Sequence, residues 1–477
     1  MEIIMLDITG FEKISDFLAF FEKISSIPRG SGECEGIAKY LVSFAKERGL
    51  YYMRDSANNV IIKKPATPGY EEHPPVILQA HTDMVIAVDE ESETDILNDG
   101  VTLIRDGDFV HADFTTLGGD DGIGVAYILA ILDSSSISHP PIEAVFTADE
   151  EIGLIGASVL DTSYLSAKRM INLDGGREGT FIVGCAGGIN ANVRATVKRE
   201  EAVERCYSLS LFGFTGGHSG SDIDKGRKNA IIALVSCIKG IDNVRLVSLS
   251  GGDASNAIPR SASVRFLTDM SEAVLCEHIN AHFEKYLETE EELDYKFSEI
   301  SGEIYPIRRE DSARLVDLIL NEPCGVVEHD EFFTDKVKTS LNLGTVELSE
   351  NEMTLVYGIR SSSELSKEAL SRIVVNIATD LMATVELTGE YPGWEYVGET
   401  DLIVRMRAAY LDMYGDEPRV TTTHAGLECG IFYDAIDGLE CVTMGPDSYN
   451  IHTSAECVFL PSVERVYEYL IKVLREL

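Results

Sequence analysis

The sequence is poor in basic residues: 40 Lys and Arg stand against 80 Asp and Glu, a formal net charge of −40 over 477 residues. Nucleic acids and anionic membrane surfaces both demand patches of Lys and Arg, so this balance excludes them as partners. No apolar run approaches the length that spans a bilayer. The first residues, "MEIIMLDITGFEKISDFLAFFEKI", carry Glu2 and Asp7 where a secretion signal needs positive charge, and they read as an amphipathic helix. Cysteine pairing is missing too. The nine cysteines are odd in number and scattered without disulfide-framework or zinc-finger spacing. Cys237 and Cys276 fall in apolar helical patterns, as small core residues do. Together these absences describe a soluble, reduced, cytoplasmic chain. An apolar content of 44% is that of a globular protein, and the length suggests two to three domains.

What the chain has in excess is acid at particular places. In "FTADEEIGLIGA", Asp149, Glu150 and Glu151 follow an apolar, β-rich run. In so acidic a chain, one such triplet is by itself a solvated turn. Three further apolar runs end in the same way, however. "PPVILQA" leads into His81, "KRMINL" into Asp174, and "GLECVTM" into "GPDSYNIHTSAE" with His452. Continuous apolar runs flanked by helical patterns read as strands of a parallel sheet, in which function collects beyond the carboxyl ends. A fifth segment, "TTLGGDDGIGVAYILAILDSS", places Asp120 and Asp121 in a glycine-rich loop ahead of a buried helix. His81, Asp120, Glu151, Asp174 and His452 form a set of two imidazoles and three carboxylates. Such a set suits zinc, manganese or cobalt and does not suit calcium. Five ligands exceed one tetrahedral site and suffice for two metals about 3.5–4 Å apart, provided a carboxylate bridges them.

The stretches "AHTDMV", "GGDDGIG", "ADEEIGLIGA", "NLDGG" and "NIHT" resemble, in order, the five metal-site motifs of the dinuclear zinc exopeptidases related to carboxypeptidase G and the carnosinases. "VGCAGG", "GGHSGSDIDKGRKNA", "SNAIPR", "HAGLECG" and "YPGW" narrow the resemblance to the aminoacyl-histidine (Xaa-His) dipeptidases. The resemblance implies an α/β fold: a zinc-exopeptidase-like catalytic domain of mostly parallel sheet and helices, over 1–187 and 391–477. An α/β lid domain would be inserted at 188–390. It implies that Asp120 bridges two metals, with His81 and Asp174 completing one site and Glu151 and His452 the other. Glu150 would be the general base and Asp83 would orient His81. The Asp120–Asp121 peptide would be cis. His218 would stabilise the oxyanion, and Arg360, assisted by Asn256 and the backbone at Gly426, would grip the substrate's free carboxylate. His424 and Glu428 would contact the leaving residue.

The activity so implied is hydrolysis of short peptides, Xaa-His dipeptides among them, with two divalent metals, zinc before manganese or cobalt. Tripeptide aminopeptidase and N-acyl amino acid deacylase activities share this chemistry, and a non-catalytic peptide-binding protein is the remaining reading. Two stretches depart from the pattern of the resemblance: Gly175-Gly176-Arg177 after Asp174, and Thr453-Ser454-Ala455 before Glu456. The lid region also reads as a unit built twice. A helix from Lys225, a turn at Asn256, a strand at 262–268 and a helix at Ser271 find counterparts at Arg309, Asn342, 352–359 and Ser363. The offsets are 309−225 = 84, 342−256 = 86 and 363−271 = 92. A doubled lid predicts that His218 serves its own chain, in a monomer or a homodimer alike.

Overall fold

The computed structural model describes residues 6–92, 94–202, 205–302 and 304–477. The chain forms two compact units. One comprises the part up to Val183 with Tyr396–Thr422 and Leu427–Leu477; the other comprises Gly184–Glu395 with Thr423–Gly426. The expected breaks at 187/188 and 390/391 therefore compare with observed ones at 183/184 and 395/396. No helix among the described residues is long and apolar enough to cross a membrane.

The first unit is organised by an eight-stranded sheet. Its centre is four neighbouring strands in the order Ile142–Thr147, Val76–His81, Arg169–Asn172 and Glu440–Thr443, all mutually parallel. These are the four apolar runs singled out above. Val76, Ile77, Leu78, Ala144, Val145, Phe146, Met170, Ile171 and Val442 have no exposed surface, which is why the runs do not alternate. Antiparallel strands Val60–Lys64 and Tyr51–Arg54 extend one side.

The helix Gly119–Asp133 is buried almost throughout, from Gly122 to Leu132, as its uniformly apolar sequence requires. Its Tyr127 stacks on Tyr467 at 5.4 Å between ring centroids, and the buried hydroxyl donates to the Val463 carbonyl at 2.7 Å. A hydroxyl left unpaired there would cost about 1–3 kcal/mol. This contact fixes the helix, and so the loop at its start. Near the amino terminus the helix is confined to Ser15–Ser25 with a 3₁₀ turn at Glu12–Ile14. Residues 1–5 of the expected helix lie outside the described residues, and 6–11 are not helical.

The second unit carries one long antiparallel sheet. Its eight-strand path is Asp294–Ile300, Cys206–Phe212, Ala262–Leu267, Arg245–Gly251, Val337–Leu348, Glu352–Ser361, Gly187–Thr196 and Thr384–Tyr391. Read outward from the centre, the two halves follow the same plan. Each has a helix before its inner strand (Ala230–Lys239; Arg309–Leu320) and a helix after the next strand (Glu272–Glu284; Glu364–Asp380). Among the described residues, the inner strands of the two halves pair through Ser250 with Glu347 and Gly251 with Val346. The repeat differs in detail from the expected one. The strand Gly187–Thr196 belongs to the second copy yet precedes the whole first copy, so one copy is inserted into the other. The first helix starts at Ala230 and not at Lys225, and Asn342 lies within a strand, with its side chain donating to the Ala257 carbonyl. Observed offsets are 309−230 = 79, 352−262 = 90 and 364−272 = 92.

Candidate active site

His81, Glu150, Glu151, Asp174 and His452 follow or end central strands, and Asp120 lies at the start of the buried helix. His81 is the last residue of its strand and is 1% exposed. Its Nε2 lies 3.0 Å from Asp120 Oδ1 and 3.9 Å from Asp174 Oδ1, while its Nδ1 faces Asp83 Oδ1 at 3.5 Å. The other oxygen of Asp120, Oδ2, lies 3.3 Å from Nε2 of His452, which in turn sits 2.9 Å from Glu151 Oε1. Asp120 thus divides its two oxygens between the two imidazoles. The Asp120–Asp121 peptide is cis, and neither residue has helical backbone angles.

The acidic triplet separates into three tasks. Asp149 takes a left-handed backbone, φ +56°, and its carboxylate accepts from the Gly32 amide at 2.7 Å. It anchors the turn. Asp83, fully buried, accepts from the Glu150 and Glu151 amides at 2.9 and 3.2 Å and from Ser31 Oγ at 2.8 Å. One carboxylate therefore holds His81 and the turn that presents Glu150 and Glu151.

The electrostatics follow from crowding. Burial favours the neutral form of Asp83, but its bonds from His81, Glu150 and Ser31 win and lower it to about 2. Burial likewise opposes the charge on His81, and bonds to Asp120 and Asp83 outweigh it, holding the imidazole well above 6.5. Bonds to Asp120 and Glu151 push His452 up to about 10. Burial and the charge of Asp120 raise Asp174 well above the usual carboxylate range. Burial raises Glu150 to about 8, helped by Glu428, Glu151 and Asp120 and opposed by His81.

The donor set fits metal. His81, Asp120 and Asp174 bring one ligand atom each within 4.8 Å of one another, and so do Asp120, Glu151 and His452. A third such group, His81, Glu150 and Glu151, overlaps them. Two triads sharing Asp120 match a dinuclear site with one bridging carboxylate.

Two of the departures from the expected pattern, Gly175 and Thr453, have local causes. A Cβ on Gly445 would lie 1.8 Å from the Gly175 carbonyl oxygen, and one on Gly175 would lie 2.4 Å from the Met444 carbonyl carbon. The two backbones touch, so position 175 must be glycine. Thr453 caps its own turn, its hydroxyl donating to the Asn450 carbonyl at 2.7 Å and accepting from the Ala455 amide at 3.2 Å.

Glu428 is not a substrate contact. It is 2% exposed, and its Oε2 accepts from Gln79 Nε2 at 2.6 Å and Thr147 Oγ1 at 2.7 Å. Burial raises it to about 7 against those two bonds. Asn172 continues the chain by donating to Gln79 Oε1 at 2.5 Å, so a polar seam laces three strands just before their functional ends. Sequence reading also passed over Arg29 and the role of Glu456. The only hint was a basic residue and an acid close to glycine-rich or ligand-bearing loops.

In the second unit, His218 lies on a two-residue strand paired with Ala257–Ile258, and the Ser219 amide donates to the Asn256 carbonyl at 2.8 Å. Its Nδ1 accepts from the amides of Gly220 and Ser221 at 3.3 and 3.2 Å. Burial and the charge of Arg360 hold His218 below 6.5, so the ring is neutral with its proton on Nε2. That leaves Nε2–H as a donor. Arg360 lies beside it, Nη2 to Nε2 3.5 Å, and donates from Nη1 to the Tyr391 hydroxyl at 3.0 Å. A Cβ on Gly426 would lie 3.0 Å from the Tyr391 ring, so a side chain there would displace the brace of Arg360. His424 is 9% exposed, hydrogen-bonded to Ser340 Oγ at 2.7 Å, and depressed to about 3 by burial and by Arg360. Asn256 is exposed.

The sequence model of peptidase family M20/M25/M40 matches residues 77–476. A cytosol non-specific dipeptidase of Escherichia coli K12 is 33% identical over 467 residues, spanning 96% of each chain. The crystal structure of an aminoacylhistidine dipeptidase from Vibrio alginolyticus superposes with a TM-score of 0.89 at 34% identity, covering 100% of this chain and 98% of that one. The aminopeptidase PepT of Bacillus cereus shares the fold at 16% identity and a TM-score of 0.57, covering 97% and 98%.

Proposed function

The chain belongs to peptidase family M20/M25/M40, and from that membership we propose that it is a metal-dependent dipeptidase of the cytoplasm, with Xaa-His dipeptides among its substrates. The observation that carries the reading is the pair of ligand triads sharing Asp120, with Glu150 in the adjoining turn.

His81, Asp120 and Asp174 would hold one divalent cation, and Asp120, Glu151 and His452 the other. Zinc suits this mixed set best, with manganese or cobalt as substitutes. When bound, the two cations supply Lewis acidity to the reaction. Asp83 keeps His81 in one orientation and fixes the turn of Glu150 through the amide of that residue. Glu150 takes a proton from the attacking water and returns it to the leaving amine. A carboxyl raised to about 8 by burial, then drawn down by neighbouring positive charge, is matched to that shuttle near neutral pH.

His218 Nε2–H donates to the carbonyl oxygen as negative charge develops on it. Arg360, braced by Tyr391, pairs with the substrate's free carboxylate, assisted by Asn256 and the backbone at Gly426. His218 serves its own chain, so turnover requires no partner subunit, whether the protein is a monomer or a homodimer.

A panel of Xaa-His dipeptides, other dipeptides, tripeptides and N-acetyl amino acids, offered to zinc- and manganese-loaded protein, tests the reading. Dipeptides should be cleaved and tripeptides and N-acetyl amino acids should not. The 33% identity to a non-specific dipeptidase favours several dipeptides over histidine alone. Turnover confined to tripeptides or N-acyl amino acids would overturn it.

A further inference from the structure

One buried acid of the first unit takes no part in the chemistry above. Glu456 lies four residues beyond His452 and is 1% exposed. Its Oε2 accepts from the amides of Leu117 and Gly118, both at 2.8 Å, and its Oε1 from those of Gly119 and Asp120 at 2.8 and 3.2 Å. Four successive backbone donors converge on one carboxylate. The opposite side of the same loop is held by Arg29, 2% exposed, whose Nη2 donates to the Gly118 carbonyl. Its Nη1 reaches the carbonyls of Thr82 and Asp83 at 3.1 and 3.3 Å. Gly118 has φ +68°, and a Cβ there would lie 2.5 Å from that guanidinium. The loop is thus gripped by an acid on its N–H side and a base on its C=O side, and the grip reaches the segments of His81, Asp120 and His452 at once.

We propose that Glu456 is a positioning residue for metal binding, its carboxylate tying the loop that presents Asp120 to the loop that presents His452. The ties leave both ligand side chains free while fixing the separation of their backbones. Without them each loop would have to be ordered by the cation itself, and that cost would appear as weaker binding. The proposal rests on the metal-site reading given above.

The test is zinc affinity by chelator competition, alongside thermal unfolding of the metal-free protein and dipeptide kinetics at increasing zinc. Glu456→Gln keeps the shape but offers one acceptor oxygen and turns an NH₂ group toward two of the amides. It should fold and lose roughly 10- to 100-fold in zinc affinity. Turnover should be low at stoichiometric zinc and recover at high zinc with KM little changed. Glu456→Asp, one methylene short, checks the case in which the glutamine variant does not fold, and should show the same loss to a smaller degree. Wild-type zinc affinity in a folded variant would overturn the proposal. So would failure of both variants to fold, which would assign the carboxylate to the fold alone. Wild-type protein that binds two zinc ions and cleaves no peptide would refute the dipeptidase reading and leave the affinity test of Glu456 standing.

Discussion

The two units treat their histidines in opposite ways. In the first, His81 and His452 are ringed by carboxylates and hold protons well above the ordinary imidazole range. In the second, the half-buried His218 and the buried His424 lie beside Arg360 and stay neutral. The first pair is poised to exchange protons for cations of higher charge. The second pair is kept as fixed neutral dipoles in a site where an anion would be received by a guanidinium. The anchors differ accordingly. The candidate ligands of the first unit sit on strand ends and loops whose backbone amides are held by the buried carboxylates of Asp83 and Glu456. The groups of the second are braced by single side chains such as Tyr391. Metal loading should therefore depend on the first unit alone, and substitutions in the second should change turnover at constant metal content.

The strongest way to break that contrast is at Asp120. Asp120→Ala removes the carboxylate shared by both triads, so metal analysis should find both sites empty and activity should be undetectable. Glu150→Gln should keep both metals and lose roughly 100- to 10,000-fold in kcat, the range for a general base. Equal metal content in wild type and Asp120→Ala would remove the bridging role.

Next in size is His218. Its Nε2–H should matter chiefly to the transition state, so His218→Ala should lower kcat about 100- to 1,000-fold with little change in KM or in metal content. Mixing His218→Ala with Glu150→Gln subunits under exchange conditions should restore nothing. Recovery of activity would mean that each chain borrows this histidine from a partner. For Arg360 the expected effect is smaller. Amidating a dipeptide's C-terminus should cost about 10- to 100-fold in kcat/KM, the worth of a charge-assisted pair. Arg360→Ala should abolish the distinction between amide and acid. If wild type cleaves both forms equally, the guanidinium has another task.

The same contrast explains what was legible in the sequence. In a parallel sheet the chemistry follows an apolar run directly, so His81, Glu150, Glu151 and Asp174 could be read from strand endings. His452 lies nine residues past its strand and Asp120 in the non-helical start of a helix; the apolar run before one and the glycines around the other marked them, and the resemblance of short motifs supplied their roles. Glu428 was misplaced because its partners, Gln79 and Thr147, are remote in sequence and nothing local marks it as buried. Arg29 and Glu456 bond backbone groups, and backbone partners leave no trace in residue type. The doubling within the second unit was visible as offsets but not as an insertion of one copy into the other. Strand pairing decides that order, and the pairing of Gly187–Thr196 with Glu352–Ser361 spans more than 150 residues.

The mildest prediction concerns pH and sets the two pairs of histidines against each other. Zinc held by His81 and His452 would need both rings neutral, yet in the metal-free protein their carboxylate neighbours push His452 up to about 10 and His81 well above 6.5. Loading at pH 7 must therefore expel protons, and each proton expelled makes affinity fall about tenfold per pH unit of acidification. Folding of the metal-free protein should show the reverse trend. The pKa of His452 is higher folded than its ordinary 6.5, so its contribution is complete below 6.5 and is lost as pH rises through 10. Glu150, raised from 4.5 to about 8, acts in the same direction, being favourable to the fold only while protonated. Between pH 6.5 and 10, the melting temperature of metal-free protein should fall, while the stabilisation added by saturating zinc should grow. Asn in place of His452 should flatten the imidazole's share of both trends. Asn in place of His218, which is neutral across that window, should alter neither. Zinc affinity independent of pH, or a metal-free melting temperature that rises over this range, would contradict the electrostatic contrast between the units.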